Sequence, residues 1–520
     1  MLNRVGVVLS WGASQSQAQN RLFALPRTVA RAALAVPPLG TIPIVPSRTY
    51  FSLRDVAFGI DPSDAASQQF NEDFPQCKLV KGRYVSPWSM DTEKSVGDVL
   101  DYLWNRKQNK LHLPNLDTTS LKELIRPHEI SIASIEESFQ QAKELSKIPV
   151  TWIGHATTYF EMDGLRIITD PMFSERAFPV PFMGPKRHFP AGVDPSELPI
   201  DVVLLSHTHY DHLCSDSAQA IGNKALWLVP LGVKELMEDF GITNCIEMNW
   251  WDSYKIPTTN PTASAVIPAT KIIGGDTTTS SIIGDNQVKE KEKLDYVEIS
   301  FTPTKHWTSR HFFDRNTCLW GSFAVVSEKK NQRVFFTGDS AYCSIFKQIG
   351  LTYGPFDLAL VPIGAYEPRY FLKHQHCNPE EAIKIHRDLK AKQSLAIHWG
   401  TFPLADEDVV EPALELGRCR EEANLNSDEF FTTRLGETFN VGDPAVSDFA
   451  SMHSALQQHY NDHVDAKQER QVKLGERIIK VKDALNVKAK VKKGIQMVKE
   501  KRDERKERKE RKAEAAAKGK

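Results

Sequence analysis

One short segment constrains this chain more than any other part of its sequence. An apolar run over residues 202–205 leads directly into Ser-His-Thr-His-Tyr-Asp-His, which places four side chains able to bind a metal ion within six residues. They are His207, His209, Asp211 and His212. Imidazole and carboxylate groups have little reason to crowd together without a cation to neutralise them. We therefore expect a buried strand that ends at a metal site.

Three later residues follow apolar runs in the same way. His306 lies shortly after the run 296–302, Asp339 closes the run 334–337, and His398 closes the run 395–397. Each can be delivered to one edge of a sheet, and the spacing suits two metal ions close together. The predicted ligands are His207, His209 and His306 for one ion, Asp211, His212 and His398 for the other, and Asp339 bridging both. Imidazole and carboxylate without thiolate favour two Zn²⁺ ions, although iron and manganese accept similar ligands.

Changes in composition and charge along the sequence divide the chain into four parts. These are a basic leader (1–54), an N-terminal extension packed on the main domain (55–148), the main domain (149–441) and a basic helical or disordered tail (442–520). Helical patterns at 95–104 and 134–147 mark the extension. A stretch rich in Thr, Ser and charge at about 255–295 is typical of a surface insertion in the main domain.

Short β-rich runs alternate with helical patterns in the main domain. The predicted strands are residues 150–152, 165–169, 201–206, 296–302, 334–337 and 359–362. Residues 379–389 predict a helix. Continuously apolar strands alternating with helices indicate a layered α/β domain.

Positive charge is concentrated at the two ends of the chain. The formal net charge is -1, yet residues 1–54 hold six Arg and no acid, and residues 466–520 hold 21 Lys or Arg against 9 Asp or Glu. The leader has the composition of an organellar transit peptide, which predicts a mitochondrial or cytoplasmic protein; a basic leader without a targeting role is the alternative. The tail has a one-sided helical spacing of apolar residues, so it predicts either peripheral binding to an anionic membrane surface or a solvated helix.

Cysteine usage and hydropathy indicate the redox compartment and whether the chain spans a membrane. The seven Cys are scattered and form no CxxC pair, which favours a reducing compartment over a disulfide framework. The most apolar early stretch, residues 32–45, is interrupted by three Pro, so we expect no transmembrane segment. The sequence does not determine the oligomeric state and is compatible with a homodimer.

The ligand pattern resembles that of a known superfamily. HTHYDH, followed by His306, the GDS around Asp339 and His398, is similar to the metallo-β-lactamase superfamily, and the ligands come in that family's order. Longer blocks, above all GPFDLALVPIGAYEPRYF but also VTWIGHATTYFEMDG, TDPMFSERA, TPTKHW and IHWGTFPLA, resemble the N-acylphosphatidylethanolamine-hydrolysing phospholipase D branch over about residues 70–420. The resemblance implies an αβ/βα four-layer sandwich.

The resemblance also implies an activity. The substrate would be a phospholipid, N-acylphosphatidylethanolamine, cleaved to phosphatidic acid and an N-acylethanolamine by a hydroxide held between two zinc ions. Asp211 would orient this hydroxide as a catalytic residue. Gln375 and His376 match positions beside the substrate phosphate, where His376 would bind phosphate or protonate the leaving oxygen; a His that caps the helix beginning near Pro379 is the alternative.

Other residues have less specific predictions. His155 is expected to orient a neighbouring loop or strand. Trp250 and Trp251 would line an acyl groove or, as tandem Trp more often do, belong to the core.

Three other functions remain alternatives. A lactonase or other small-ester hydrolase would use the same fold and metals. A mitochondrial lipid-binding or organising protein would keep the fold without turnover. A nuclease is disfavoured, and no nucleic-acid partner is expected, because the body between the two basic ends is acidic.

Overall fold

The computed structural model of the chain describes residues 74–88, 128, 130–180, 182–269, 295–311, 313–444, 496, 497 and 500. The predicted leader, the helical pattern at 95–104 and all but a few positions of the basic tail lie outside the described residues.

Seventeen strands are described in this part of the chain. They are β1 (Lys78–Val80), β2 (Arg83–Val85), β3 (Pro149–Gly154), β4 (Thr157–Met162), β5 (Leu165–Thr169), β6 (Val202–Leu204), β7 (Leu226–Pro230), β8 (Cys245–Met248), β9 (Ser253–Pro257), β10 (Ile267–Pro268), β11 (Tyr296–Thr302), β12 (Ser322–Ser327), β13 (Gln332–Phe336), β14 (Leu358–Pro362), β15 (Gln393–Ile397), β16 (Phe430–Phe431) and β17 (Thr438–Asn440). All six strands predicted from the sequence are confirmed, within two residues at their ends.

The helices lie between these strands. They are α1 (Ile132–Glu144), α2 (Ser215–Ile221), α3 (Lys234–Asp239), α4 (Ile345–Thr352), α5 (Arg369–Leu372), α6 (Pro379–Asp388) and α7 (Glu411–Glu422). The sequence predictions for α1 and α6 are confirmed, and α6 begins at the expected Pro379 with a capping box between Asn378 and Glu381. The longest of them, α1, has 13 residues, and no described helix is both long and apolar enough to cross a bilayer.

Two large sheets form the centre of the fold. The first has seven strands in the order β17-β3-β4-β5-β6-β7-β8, and the second has eight in the order β10-β9-β11-β12-β13-β14-β15-β16. Strands β5 to β8 are parallel in the first sheet, and β13 to β16 are parallel in the second. Strands β1 and β2 form a separate hairpin.

The core lies on both faces of the sheets, as strand β6 illustrates. Val202 and Leu204 belong to the larger apolar cluster, which also contains Phe301 and Phe335 of the second sheet. The alternate residue Val203 belongs to a second cluster with side chains of α1, α2 and α3. Helix α1 packs on β3 and β17, and α6 packs on β14. The order helix, sheet, sheet, helix confirms the predicted αβ/βα four-layer sandwich.

The first residues of the predicted surface insertion belong to a strand of the second sheet. Residues 255–257 lie inside β9, which pairs with both β10 and β11 in the second sheet. Ile256 is fully buried there. The Thr- and Ser-rich composition of the surrounding chain concealed this strand, since one short strand contributes few apolar residues. Residues 258–269, which include β10, are also described, and residues 270–294 lie outside the described residues.

Trp250 and Trp251 lie in the core rather than in an acyl groove. Both side chains are fully buried in the larger apolar cluster. The indole of Trp250 donates to the carbonyl of Trp320 at 2.6 Å, and that of Trp251 donates to the carbonyl of Pro75 at 2.9 Å. With the apolar rings packed and both N–H groups paired, these residues stabilise the fold.

Trp250→Ala tests this assignment. The substitution leaves a cavity and an unpaired carbonyl at Trp320, so we expect the free energy of unfolding to fall by about 3–5 kcal/mol. Denaturant unfolding followed by circular dichroism measures the change. Leu351→Ala is the control, because Leu351 is 57% exposed and its loss should cost less than about 0.5 kcal/mol. Equal losses in the two variants would contradict a core role.

Candidate metal centre

The candidate site lies where the carboxyl ends of strands from both sheets meet. The segment 207–212 follows β6, Asp339 follows β13 and His398 directly follows β15. Strand β11 runs in the same direction as β13, since both are antiparallel to β12, so His306 arrives at the same edge. Apolar strands thus deliver all seven predicted ligands to one place, as the sequence predicted.

The first group of donors contains His207, His209, His306 and Asp339. His207 Nε2 lies 2.8 Å from His209 Nδ1, and His306 Nε2 lies 3.3 Å from the same atom. His207 and His306 are almost fully buried. Three imidazole nitrogens therefore converge on one point, beside the carboxylate.

The second group contains Asp211, His212 and His398, together with His155. His212 Nε2 lies 3.3 Å from His398 Nε2 and 3.5 Å from Asp211 Oδ2. His155 Nε2 lies 2.9 Å from the same Asp211 oxygen, and the backbone carbonyl of His155 accepts a hydrogen bond from the His398 amide. His155 thus orients the chain around both Asp211 and His398, in keeping with the role expected for it.

Asp339 stands between the two groups. Its Oδ1 lies 3.1 Å from His398 Nε2, and its Oδ2 lies 3.2 Å from His212 Nε2 and 3.7 Å from His306 Nε2. The Asp339 side chain is 2% exposed. One buried carboxylate is therefore within reach of both imidazole groups.

The spacing and the unpaired atoms fit cation binding. Donor atoms that share a tetrahedral zinc ion lie roughly 3.3 Å apart, given bond lengths of about 2.0 to 2.1 Å. Asp339 Oδ1 is buried and makes no hydrogen bond within the described residues, although it faces His398. Donors directed at a common point, rather than at one another, are the arrangement that a shared ion requires.

Electrostatics leads to the same conclusion. Burial alone would lower the pKa of His398, but the carboxylates of Asp339 and Asp211 outweigh it and raise this pKa to about 9. At Asp339 burial acts to raise the pKa, and the neighbouring imidazoles of His212 and His398 hold it well below the usual range. The cluster therefore attracts positive charge, which a divalent cation would supply in place of protons.

His376 faces the cluster from the loop between α5 and α6. Its Nδ1 lies 3.7 Å from Asp339 Oδ2, and its side chain keeps 13% exposure. This nitrogen is buried and makes no hydrogen bond with described residues. Asn378 caps α6, so the alternative of a helix-capping His376 is wrong.

Gln375 supports the cluster with two of its oxygens. Its backbone carbonyl accepts from His306 Nδ1 at 2.9 Å, and its side-chain carbonyl accepts from the indole of Trp307 at 2.9 Å. The Trp307 ring in turn packs edge-on against His209, with 4.6 Å between ring centroids. These contacts give Gln375 a positioning role, and its predicted contact with substrate stays a prediction.

Comparisons with known proteins agree with this geometry. Residues 165–399 match the family described as "Beta-lactamase superfamily domain". The N-acyl-phosphatidylethanolamine-hydrolyzing phospholipase D 1 of Caenorhabditis elegans is 36% identical over 56% of this chain and 76% of the worm protein. The chain belongs to the N-acylphosphatidylethanolamine-hydrolysing phospholipase D branch of the metallo-β-lactamase superfamily.

Two further similarities extend the comparison. The mitochondrial N-acyl-phosphatidylethanolamine-hydrolyzing phospholipase D of Saccharomyces cerevisiae is 33% identical over 62% of this chain and 64% of the yeast protein. A solved structure, that of a novel metallo hydrolase from the archaeon Ignicoccus hospitalis, has 18% identity and a TM-score of 0.38 over 56% of this chain and 98% of that chain. Membership of this phospholipase D family makes the protein a metal-dependent hydrolase.

Asp170 is a buried carboxylate of the site that the sequence analysis did not identify. Asp170 follows β5, and its Oδ2 lies 2.6 Å from His212 Nδ1 and 2.5 Å from the hydroxyl of Ser206. That hydroxyl lies 2.9 Å from His207 Nδ1. Asp170 thus orients one imidazole of each group. The signal was present, because Asp170 ends an apolar strand in the same way as Asp339 does.

Three residues of this site have left-handed backbone conformations. Asp170, His155 and His398 have φ values of 32°, 55° and 63°, in the left-handed region that non-glycine residues rarely adopt. Gly338, before Asp339, has φ 59°, and a Cβ there would lie 2.5 Å from Ser206 Cβ. The fold holds these conformations because they turn the chain sharply where each strand delivers its side chain.

Asp170→Asn tests how far the metal centre depends on this carboxylate. Removing its charge weakens the hydrogen bonds that hold His212 and Ser206, and such outer partners contribute about 10–100-fold to metal affinity. We expect a loss of this size, measured as metal content against graded chelator by elemental analysis.

Asp201→Asn is the matched control. Asp201 is also partly buried but lies before β6, at the opposite end of the strand that leads to the ligands, where it accepts from the Arg166 amide. Its variant should keep the metal. Equal metal retention in both variants would contradict the role given to Asp170.

Proposed function

We propose that this protein is a zinc-dependent phosphodiesterase of the phospholipase D type, which hydrolyses N-acylphosphatidylethanolamine to phosphatidic acid and an N-acylethanolamine. The observation that carries the proposal is the position of Asp339 between two groups of converging imidazole donors. The named activities of the worm and yeast relatives support the choice of substrate.

The donor set fits two zinc ions. His207, His209 and His306 would hold one, Asp211, His212 and His398 the other, and Asp339 would contact both. Zinc ions bound there would lower the pKa of a water molecule and neutralise charge on the phosphate. His155 would keep Asp211 in place through its hydrogen bond to Oδ2.

Cleavage requires water to add to phosphorus as the bond from phosphorus to the ethanolamine oxygen breaks. The departing alkoxide needs a proton at that moment, because it is a poor leaving group. His376 is the candidate donor: it faces Asp339, keeps partial exposure and makes no hydrogen bond through Nδ1 to the described residues. Burial lowers the pKa of its imidazole well below the usual range, so it would take up the proton that the attacking water releases and pass it to the alkoxide. Arg369 donates to the backbone carbonyl of His376 and to Glu381, and so fixes the loop that carries it.

We place the protein in or at mitochondria as part of the same proposal. The arginine-rich, acid-free composition of residues 1–54 supports this location, and the yeast relative is named as a mitochondrial protein.

Hydrolysis of N-acylphosphatidylethanolamine in mixed micelles by the zinc-loaded full chain tests the proposal. We expect release of both phosphatidic acid and N-acylethanolamine, measured together by mass spectrometry. His209→Ala should lower the rate by more than about 100-fold, since even outer partners of metal ligands contribute 10–100-fold.

His128→Ala is the control for this experiment. The side chain of His128 is exposed and lies outside the donor groups, so its loss should leave the rate unchanged. Zinc binding without release of either product would reject the lipid substrate and favour the lactonase or small-ester alternative.

His376→Asn tests the proton donor separately. General acid catalysis contributes about 10²–10⁴-fold, so we expect a loss of this order in kcat with the natural substrate. With a p-nitrophenyl phosphodiester the leaving group needs no proton, and most of the deficit should disappear. A deficit of the same size with both substrates would assign His376 to phosphate binding instead.

A further inference from the structure

Three segments form a continuous rim beside the metal centre. They are the β1-β2 hairpin, the loop between Arg176 and Lys186, and the segment from Thr308 to Asn316. We call them together the rim.

Hydrogen bonds and ring contacts join these segments to one another and to the metal centre. Arg83 of the hairpin donates to the carbonyls of Phe313 and Arg315. Tyr210, inside the ligand-rich segment, lies 5.8 Å from the ring of Phe178 and donates its hydroxyl to the Arg310 carbonyl. The rim is therefore attached directly to the chain that carries His209 and Asp211.

Large apolar side chains of the rim face solvent. Phe313 is 88% exposed and Phe182 78%, and they are the two most exposed large hydrophobic residues that the structure describes. Leu79, Met183 and Phe178 are 59%, 48% and 41% exposed. Exposed single apolar residues are ordinary, whereas several on linked loops beside one site mark a binding surface.

Positive charge accompanies these apolar side chains. The hairpin region 74–88 has two Lys and one Arg and no acid, although the chain between the two basic ends is acidic overall. Arg176 and Arg315 add cations on the other two segments, whereas the guanidinium of Arg310 is occupied by backbone carbonyls. Asp314 is the acid of the segment from Thr308 to Asn316, and its carboxylate already accepts from Ser309 and from the amides of Arg310 and His311.

The backbone of the rim is held in place. The guanidinium of Arg310 donates to the carbonyls of Thr208 and Leu213 and lies 4.2 Å from the centre of the Tyr210 ring. An isolated bridge between Arg176 and Lys186 closes the other loop. The backbone that carries the apolar tips is thus anchored, which lowers the entropic cost of binding a surface.

We propose that the rim docks the protein on the surface of an anionic phospholipid bilayer. Phe182, Phe313 and Met183 enter the boundary between headgroups and acyl chains, and the neighbouring Arg and Lys side chains contact lipid phosphates. Docking would place the metal centre at headgroup level. The docking proposal rests on the proposed function only in taking the substrate to be a membrane lipid. The mixture of isolated aromatic tips with cations favours a bilayer over a flat apolar interface with a second copy of the chain.

Co-sedimentation of the full chain with vesicles tests this proposal without any measurement of turnover. The fraction of protein bound is measured with vesicles of phosphatidylcholine alone and with vesicles that also contain roughly 30% phosphatidylserine, which gives them a negative surface charge. We expect tighter binding to the anionic vesicles. The double variant Phe182→Ser with Phe313→Ser should weaken that binding by about tenfold or more, because it removes the two aromatic side chains that would insert into the bilayer.

Matched variants separate the rim from general surface effects. Leu145→Ser with Leu351→Ser removes two side chains of 62% and 57% exposure outside the rim and should leave partitioning unchanged. Phe182→Trp with Phe313→Trp keeps interfacial aromatic character and should bind at least as well as the parent chain. Unchanged thermal unfolding would confirm that all variants fold.

Two results would overturn the proposal. The first is equal partitioning of the parent chain and the serine rim variant, which would assign any vesicle binding to another part of the chain, such as the basic tail. The second is a dimer, seen by light scattering, that the rim variant dissociates while vesicle binding stays unchanged; the occupant would then be a second copy. Failure of N-acylphosphatidylethanolamine hydrolysis would leave the partitioning result intact, so the two proposals fail independently.

Discussion

The burial of many polar donors around Asp339 is the constraint on which the rest of the structure depends. Three carboxylates, of Asp170, Asp211 and Asp339, share a small volume with seven imidazoles, and a buried charge without compensation is costly. The pKa of His398 is raised and that of Asp339 is lowered, because each group lies beside charge of the opposite sign. A divalent cation would meet that demand, and the layered fold supplies the rigidity needed to keep the donors together.

The fold meets this constraint by directing strand ends from two sheets to one edge. Buried strands such as β6 and β15 are fixed by apolar packing on both faces, and this packing also restricts the residues that directly follow them. The left-handed conformations at His155, Asp170 and His398 are tolerated because the surrounding core fixes the chain on either side. Precision in the site is therefore a consequence of packing outside it.

Much of the site could be predicted from local sequence. An apolar run followed by His or Asp marks a strand end, and this rule found His306, Asp339 and His398; applied to residues 165–169 it would also have found Asp170. The same reasoning could not place Trp250 and Trp251, because a tandem of aromatic residues suits a groove or a core equally well. Gln375 was expected to contact substrate, and only the fold revealed its bonds to His306 and Trp307.

The sequence by itself determined the class of chemistry and the layered α/β fold, because the order of ligands and the alternation of strands and helices are local patterns along the chain. The tertiary structure decided which ligands share a point, how Asp170 reaches both groups and which apolar tips form one rim. Those relations join residues far apart in the sequence, such as Asp211 and His398, which are 187 positions apart. Sequence spacing carries no information on such distances, since they are set by how two sheets pack.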